Sequence, residues 1–278
     1  MEQYCDLHVH SCYSDGTCTP AQLLALAEAA GLQAIALCDH NTIDGVEGFL
    51  AAGENSPVEA IPGIEISTDF EGAELHILGL FLKPEHYAPI QNLMARQRQL
   101  KEQSNIDLVD ALNRAGYAID YAAIKASTPK GNVNRALIAA ELTRKGYTES
   151  VQDAFKRLLS PKHGYYVPPK HPDAFDTIVF LKNMGVTVVL AHPFLSLDEA
   201  GLRRFLPKAA ELGLDGMEVI YSKFDAATTS LAKTIAQEYG ILPSGGSDFH
   251  GENKPDIRIG VGRGDLRIPM AYLQVLRG

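Results

Sequence analysis

Of the 9 histidines and 34 acidic residues of this 278-residue chain, six histidines and three acids fall where short apolar runs end: His8, His10, Asp15, His40, Glu65, His76, His192, Asp248 and His250. Side chains two apart on a strand point the same way, so His8 and His10 can reach one point, as can Asp248 and His250. Imidazole and carboxylate together suit Mn, Fe, Zn and similar ions. One ion needs three or four protein ligands, so this set is large enough for two or three. Neighbouring ions need a bridging ligand, a part open to a carboxylate and not normally to imidazole. Glu65 is the expected bridge. The other three histidines, His86, His163 and His171, lie in or beside a helical stretch and are expected at the surface.

Bringing these residues together requires a scaffold that gathers distant strand ends. Apolar runs at 4–8, 33–38, 58–66, 74–82, 186–191, 216–220 and 241–244 read as strands. Amphipathic stretches near 20–30, 44–52, 173–184, 198–212 and 225–239 read as helices. Thr19 can cap the first helix, Pro20 suits its first turn and Gly31 ends it. Repeated strand–helix units imply a mostly parallel sheet, and their number suggests a closed barrel. The C-terminal strand ends of a barrel converge on one mouth, so residues far apart in sequence become neighbours there. Residues 87–160 break the rhythm and look helical, and the proline-rich 161–172 reads as the return linker. The expected organisation is a barrel of residues 1–86 and 167–278, with residues 87–166 as a helical insertion capping the site.

The ordered set DLHVHSCYSDG (6–16), LCDHNT (37–42), PGIEIS (62–67), ELHILG (74–79), LAHP (190–193) and GGSDFHG (245–251) resembles the PHP family, named for its polymerase and histidinol-phosphatase members. The motifs span the barrel almost end to end. The resemblance implies an α/β fold, a distorted (βα)7 TIM-like barrel, with two or three divalent ions, Mn foremost and Fe, Zn or Mg as alternatives. The insertion and the YYVPP segment look most like the branch of 3′,5′-nucleotide bisphosphate phosphatases and RNA 5′-end exonucleases. By that likeness His8, His10, Glu65 and Asp248 would hold one ion, Glu65, His76 and His192 a second, and Asp15, His40 and His250 a third. Several members carry histidine where this chain has Asp15, a harder ligand that would alter the third site.

Such a cluster polarises bound water. The expected activity is phosphoester hydrolysis by a metal-bridging hydroxide, supported by Glu65, Asp248 and His192, on a small nucleotide: a nucleoside 3′,5′-bisphosphate, a monophosphate or a short oligonucleotide. Asp6 and Asp39 flank ligands and are read as bracing them. Substrate phosphates need further cationic or amide partners. The segment KGNVNRA (130–136) supplies Asn134 and Arg135 at a helix start, where exposed amides favour anions. Relatives often carry histidine two residues after this arginine, where this chain has Leu137. Lys162, His163 and Tyr166 in the linker, and Lys254 close after Asp248 and His250, complete the candidate contacts.

Bulk properties narrow the remaining classes. The formal charge of -9 argues against a dedicated partner for long nucleic acid. No run of 18 apolar residues indicates a membrane span, and MEQYCDLHVHS lacks the pattern of a secretory signal. The four cysteines, all within the first forty residues, read as reduced structural thiols of a cytoplasmic protein. GVGRG (260–264) lacks the strand–loop–helix setting of a dinucleotide loop, and no nucleophile elbow or P-loop occurs. The competing readings are a phosphatase for another metabolite such as histidinol phosphate, a metal-dependent amidohydrolase, and a non-catalytic PHP scaffold.

Overall fold

A computed structural model describes residues 2–127 and 133–278 and divides into two compact units, Met1–Gln91 with His171–Gly278, and Asn92–Lys170. In the first unit, β1 (Tyr4–Val9), β2 (Ala34–Leu37), β3 (Glu59–Phe70), β4 (Ala73–Leu80), β5 (Thr187–Leu190), β6 (Gly216–Tyr221), β7 (Leu242–Gly246) and β8 (Ile268–Pro269) form one sheet, ordered β7-β6-β5-β4-β3-β2-β1-β8. Beyond the end of β7, Asp248 N donates to His8 O and His10 N donates to Phe249 O. These bonds draw the β7 edge against β1 and nearly close the sheet into a barrel.

The helices α1 (Pro20–Ala29) and α2 (Val46–Gly53) follow β1 and β2. α1 begins as the sequence suggests: the Thr19 side chain accepts from Gln22 N, and the Gln22 side chain accepts from Thr19 N. The Cβ-free Gly31 then takes φ 73, ending the helix with a left-handed residue. The Cys5, Leu7, Ala34, Ala36, Ile61, Leu78 and Val189 side chains fill one apolar cluster of the barrel. Leu23, Leu24, Ala27, Ile35, Leu37 and Phe49 fill another, between the sheet and α1 and α2. Each large side chain so buried contributes about 1.5–3 kcal/mol.

The barrel departs from repeated strand–helix units at β3 and β4. β3 runs on to Phe70, past the expected end at 66, and turns through Glu71 (φ 53) and Gly72 (φ 83) directly into β4. Two consecutive positive φ values make the tight turn whose twist suits a hairpin. β4 therefore lies antiparallel to both β3 and β5, while β1–β2, β2–β3, β5–β6 and β6–β7 are parallel. α7 (Ala174–Asn183), α8 (Glu199–Glu211), α9 (Ala226–Glu238) and α10 (Met270–Arg277) complete this unit.

The second unit holds most of α3 (Pro84–Arg114), then α4 (Tyr121–Ala126), α5 (Arg135–Arg144) and α6 (Val151–Ala154), the last continued by a π turn over Phe155–Leu159. Leu108, Leu112, Ile138, Leu142, Leu158 and Leu159 form its apolar core. Lys130, Gly131 and Asn132 of the KGNVNRA segment lie outside the described residues.

Candidate metal centre

The first two histidines owe their aim to an irregularity in β1. Cys5 and Leu7 pack in the barrel cluster, but Val9 packs under α1 and α2. Alternate residues of a regular strand would share a face, so the parity changes between Leu7 and Val9. The pairing register with β2 shifts between Asp6 and Val9 accordingly. This bulge lets an apolar barrel floor be followed at once by His8 and His10 facing inward.

Asp248 and His250 do not share a strand face. β7 ends at Gly246, and Asp248 adopts φ 58 in the segment beyond it. The pair converges through loop geometry, with His250 Nδ1 3.4 Å from Asp248 Oδ1. His76 sits in the first half of β4 rather than at a C-terminal strand end. Because β4 runs against its neighbours, its beginning lies at the mouth where theirs end. Asn41, His192 and Asp248, each a ligand candidate or next to one, all have positive φ. Such strain in residues other than glycine persists only where surroundings impose it.

Five of the other eight candidates meet Glu65 directly, and Asp15, Asp248 and His250 join them beside His10. Glu65 Oε2 lies 3.2 Å from His8 Nε2, 3.3 Å from His10 Nε2 and 2.9 Å from His40 Nδ1. Its Oε1 lies 2.8 Å from His76 Nδ1 and 3.0 Å from His192 Nε2. Asp248 Oδ1 is 3.1 Å from His10 Nε2, and Asp15 Oδ1 is 3.2 Å from His250 Nε2. Asp15 is the most exposed of the set, at 55% of its side chain.

The donor chemistry fits divalent cations. His10 Nδ1, His40 Nδ1, Glu65 Oε2 and His250 Nε2 are buried without an aligned hydrogen-bond partner, although His40 Nδ1 and Glu65 Oε2 are in close contact. Close approach without hydrogen-bond alignment is what lone pairs aimed at shared cations produce. Donor atoms of His10, Asp15, His40 and His250 lie within 4.8 Å of one another, as do those of His8, His10 and Glu65, and of His40, Glu65 and His76.

The electrostatics agree with such ligation. Burial disfavours an ionised Glu65, but His8, His40 and His76 outweigh it and hold the carboxyl well below its ordinary range. Asp248 is lowered likewise, against burial, chiefly by His10 and His8. Burial lowers His10 to about 3, leaving a neutral ring able to act as a ligand. Burial opposes protonation of His76, yet Glu65 and Glu74 raise it to about 10. The carboxylates that draw a proton there would draw a cation in the same way.

Outer residues brace the ligands. Asp6 accepts from Ser247 N and Gly260 N, both at 2.8 Å, and Asp39 accepts from Ser11 N at 2.7 Å and from the Ser11 and Ser14 hydroxyls at 2.6 Å. Three further partners escaped the sequence reading. Glu218 on β6 is buried against His8, Tyr221 Oη donates to Asp248 Oδ2 at 2.7 Å, and Glu74 Oε1 is 3.2 Å from His76 Nε2. An acid inside the apolar GMEVI strand was the available signal for Glu218, since a buried carboxylate needs partners. Lys254 Nζ donates to Asp248 Oδ2 at 2.7 Å.

The remaining candidates have other surroundings. Within the second unit, the Asn134 side chain caps α5 by accepting from Leu137 N at 3.0 Å. Arg135 donates to Leu159 O, and its guanidinium lies 4.3 Å over the Tyr166 ring. Tyr166 is buried in that unit's apolar core, Lys162 is exposed and His163 is half-buried. His86, expected at the surface, is buried; its Nδ1 accepts from Lys83 N at the start of α3. His171 is partly exposed, 3.8 Å from Glu74.

A nearly closed barrel whose mouth gathers six histidines and three acids suits a metal-dependent hydrolase, and the likeness to known phosphoesterases makes it one of that class. The PHP domain matches residues 6–167, and the chain belongs to the PHP family. It is 32% identical to a 5′-3′ exoribonuclease of Haemophilus influenzae, over 90% of this chain and 91% of the relative. It is also 32% identical to a phosphoribosyl 1,2-cyclic phosphate 1,2-diphosphodiesterase of Eggerthella lenta, over 89% and 94%. Among solved structures, a putative metal-dependent phosphoesterase of Bifidobacterium adolescentis superposes with TM-score 0.74 at 28% identity, covering 99% of this chain and 96% of that one.

Proposed function

We propose that this phosphoesterase acts on nucleotides, releasing phosphate or a nucleotide from a nucleoside 3′,5′-bisphosphate, a nucleoside monophosphate or a short oligonucleotide. The observation that carries the reading is the division of the Glu65 carboxylate, three imidazoles at Oε2 and two at Oε1. One carboxylate between two nitrogen clusters suits a bridge between ions. In this proposal His8, His10, Glu65 and Asp248 hold one ion, Glu65, His76 and His192 a second, and Asp15, His40 and His250 a third. The mixed imidazole and carboxylate donors suit Mn first, with Fe, Zn or Mg also accommodated. When bound, such ions supply an activated water and neutralise phosphate charge.

The chain's own residues then orient and hold. Glu65 and Asp248 stay ionised at neutral pH, and Lys254 offers an ammonium beside Asp248 for a substrate oxygen. The likeness to an exoribonuclease supports the nucleotide class. No described helix is long and apolar enough to cross a membrane. Four free cysteines, two of them buried, support the proposal of a cytoplasmic setting.

The test is phosphate or nucleotide release, with added Mn, from a panel: a nucleoside 3′,5′-bisphosphate, a nucleoside monophosphate, a 5′-phosphorylated oligoribonucleotide, a cyclic phosphodiester and histidinol phosphate. The nucleotide members are expected to turn over fastest. Turnover of non-nucleotide members alone overturns the nucleotide assignment while leaving the phosphoesterase intact. In the same panel, a raised KM in Arg135→Ala at unchanged metal content is the outcome expected of a substrate contact. An unchanged KM leaves Arg135 with its internal partners Leu159 and Tyr166.

A further inference from the structure

Glu218 stands in the middle of β6 with its side chain fully buried and two partners, one on each side of the metal centre. Its Oε1 lies 3.1 Å from His8 Nδ1, and its Oε2 accepts from His192 N at 2.6 Å. An ionised carboxylate only accepts hydrogen bonds, so its contact with His8 requires the proton on Nδ1. In the neutral ring that a metal ligand must be, the other nitrogen, Nε2, is the bare one. That is the nitrogen 3.2 Å from Glu65 Oε2 and 3.0 Å from His10 Nε2.

The second contact fixes a backbone. His192 adopts φ 27, which L residues rarely do. The bond from its N–H to Glu218 anchors the peptide at that conformation, from which the ring reaches Glu65 Oε1 at 3.0 Å. Glu218 therefore touches the ligands on both sides of the Glu65 carboxylate.

The fold makes room for this arrangement at one glycine. A Cβ at Gly246 of β7 would stand 2.1 Å from His8 Cβ and 2.7 Å from Glu218 Oε1. The absence of a side chain there is what allows His8 and Glu218 to pack beside β7.

We propose that Glu218 is a positioning residue for the metal centre, setting the Nδ1–H tautomer of His8 and the backbone of His192 so that both present Nε2 across Glu65. The proposal rests on the metal-centre reading above. A carboxylate behind a ligating histidine typically accounts for 10–100-fold in metal affinity. Glutamine at this position keeps the shape but offers one acceptor to two donors, so one of the two contacts must fail.

The experiment measures Mn affinity of wild type and Glu218→Gln by titration, with thermal melts of both metal-free proteins. Expected are metal-free melts within a few degrees of each other and Mn affinity weakened about 10–100-fold in the variant. Equal affinities overturn the proposal. Wild type that fails to bind Mn, Zn or Mg overturns the metal-centre reading itself, which separates the two failures. A second measurement needs no variant: long-range proton–nitrogen correlations of 15N-histidine wild type loaded with Zn. Among the rings protonated at Nδ1, one is expected to be His8, assigned through loss of its signals in His8→Asn. His8 protonated at Nε2 instead overturns the proposal even if Glu218→Gln does not fold.

Discussion

Both compact units bury apolar side chains, but they differ in the polar groups buried beside them. The barrel unit places Asp6, His8, His10, Asp39, Glu65, His192, Glu218, Asp248 and His250 out of solvent. In the helical unit the buried polar residues among those described are Ser104, Asn105 and Thr148, none of them ionisable near neutral pH. Formal charge divides the same way. The barrel unit carries 12 Lys and Arg against 27 Asp and Glu, the helical unit 13 against 7. The chain's overall -9 is thus the sum of a strongly acidic unit and a basic one, and an argument from the average misses both. Buried carboxylates without matching cations are costly unless something positive joins them. The barrel unit has the composition of a protein completed by metal ions, and the helical unit that of one stabilised chiefly by apolar packing.

The contrast is broken most directly at Glu65. Glu65→Ala removes the carboxylate that faces five imidazoles, and kcat is expected to fall at least about 1000-fold, the scale of losing a principal charge-stabilising group. Metal content measured on the same sample should fall by one ion or more per chain. Full activity with full metal content would remove the basis for placing chemistry in the barrel unit. Next in size is an apolar deletion in the other unit. Leu142 is fully buried among Ile138, Leu108 and Leu158, and Leu142→Ala should destabilise that unit by about 2–5 kcal/mol. Hydrogen exchange should rise across α5 and α6 while Mn affinity of the barrel unit stays the same. A matching loss of Mn affinity would show that the two kinds of core are not separable.

Much of the barrel was legible because its signals are local. Thr19, Pro20 and Gly31 bound α1, and β2, β5 and β6 read as apolar runs of the right length. The nine candidate ligands were visible by residue type. What sequence spacing could not supply was aim. The two-residue periodicity suggested the meeting of His8 with His10, but nothing in it announced the bulge that turns them inward after Leu7. The same rule put Asp248 beside His250, but a left-handed residue in a loop, not a shared strand face, brings them together. The reversal of β4 was written in Glu71-Gly72, a turn signal weaker than Asn-Gly because only the glycine is at ease with positive φ. Glu218 was hidden because its partners lie 210 and 26 residues away.

Metal withdrawal sharpens the contrast from the thermodynamic side. An ion present at a hundred times its Kd stabilises the native state by about 2.7 kcal/mol. For a chain of this size that is a shift in melting temperature of about 5–10 °C. A chelator should therefore lower the melting of the barrel unit by that amount, followed by hydrogen exchange in β1, β3 and β7. Exchange in α5 and α6 should be unchanged. Protection lost equally from both units would contradict the division.

The smallest effect is expected at Asn134, where two readings of one residue make different demands. As a helix cap, its side chain satisfies Leu137 N, one of the first amides of α5 that has no partner within the helix. Asn134→Ala should then cost about 1 kcal/mol, confined to the helical unit, and Asn134→Ser should recover most of it because serine caps as well. As a substrate contact, both substitutions should raise KM, and serine should give no special rescue. Paired denaturant melts and KM measurements on the two variants separate these outcomes. Rescue by serine with KM unchanged assigns Asn134 to the helical unit's own stability, and a raised KM in both variants assigns it to the substrate.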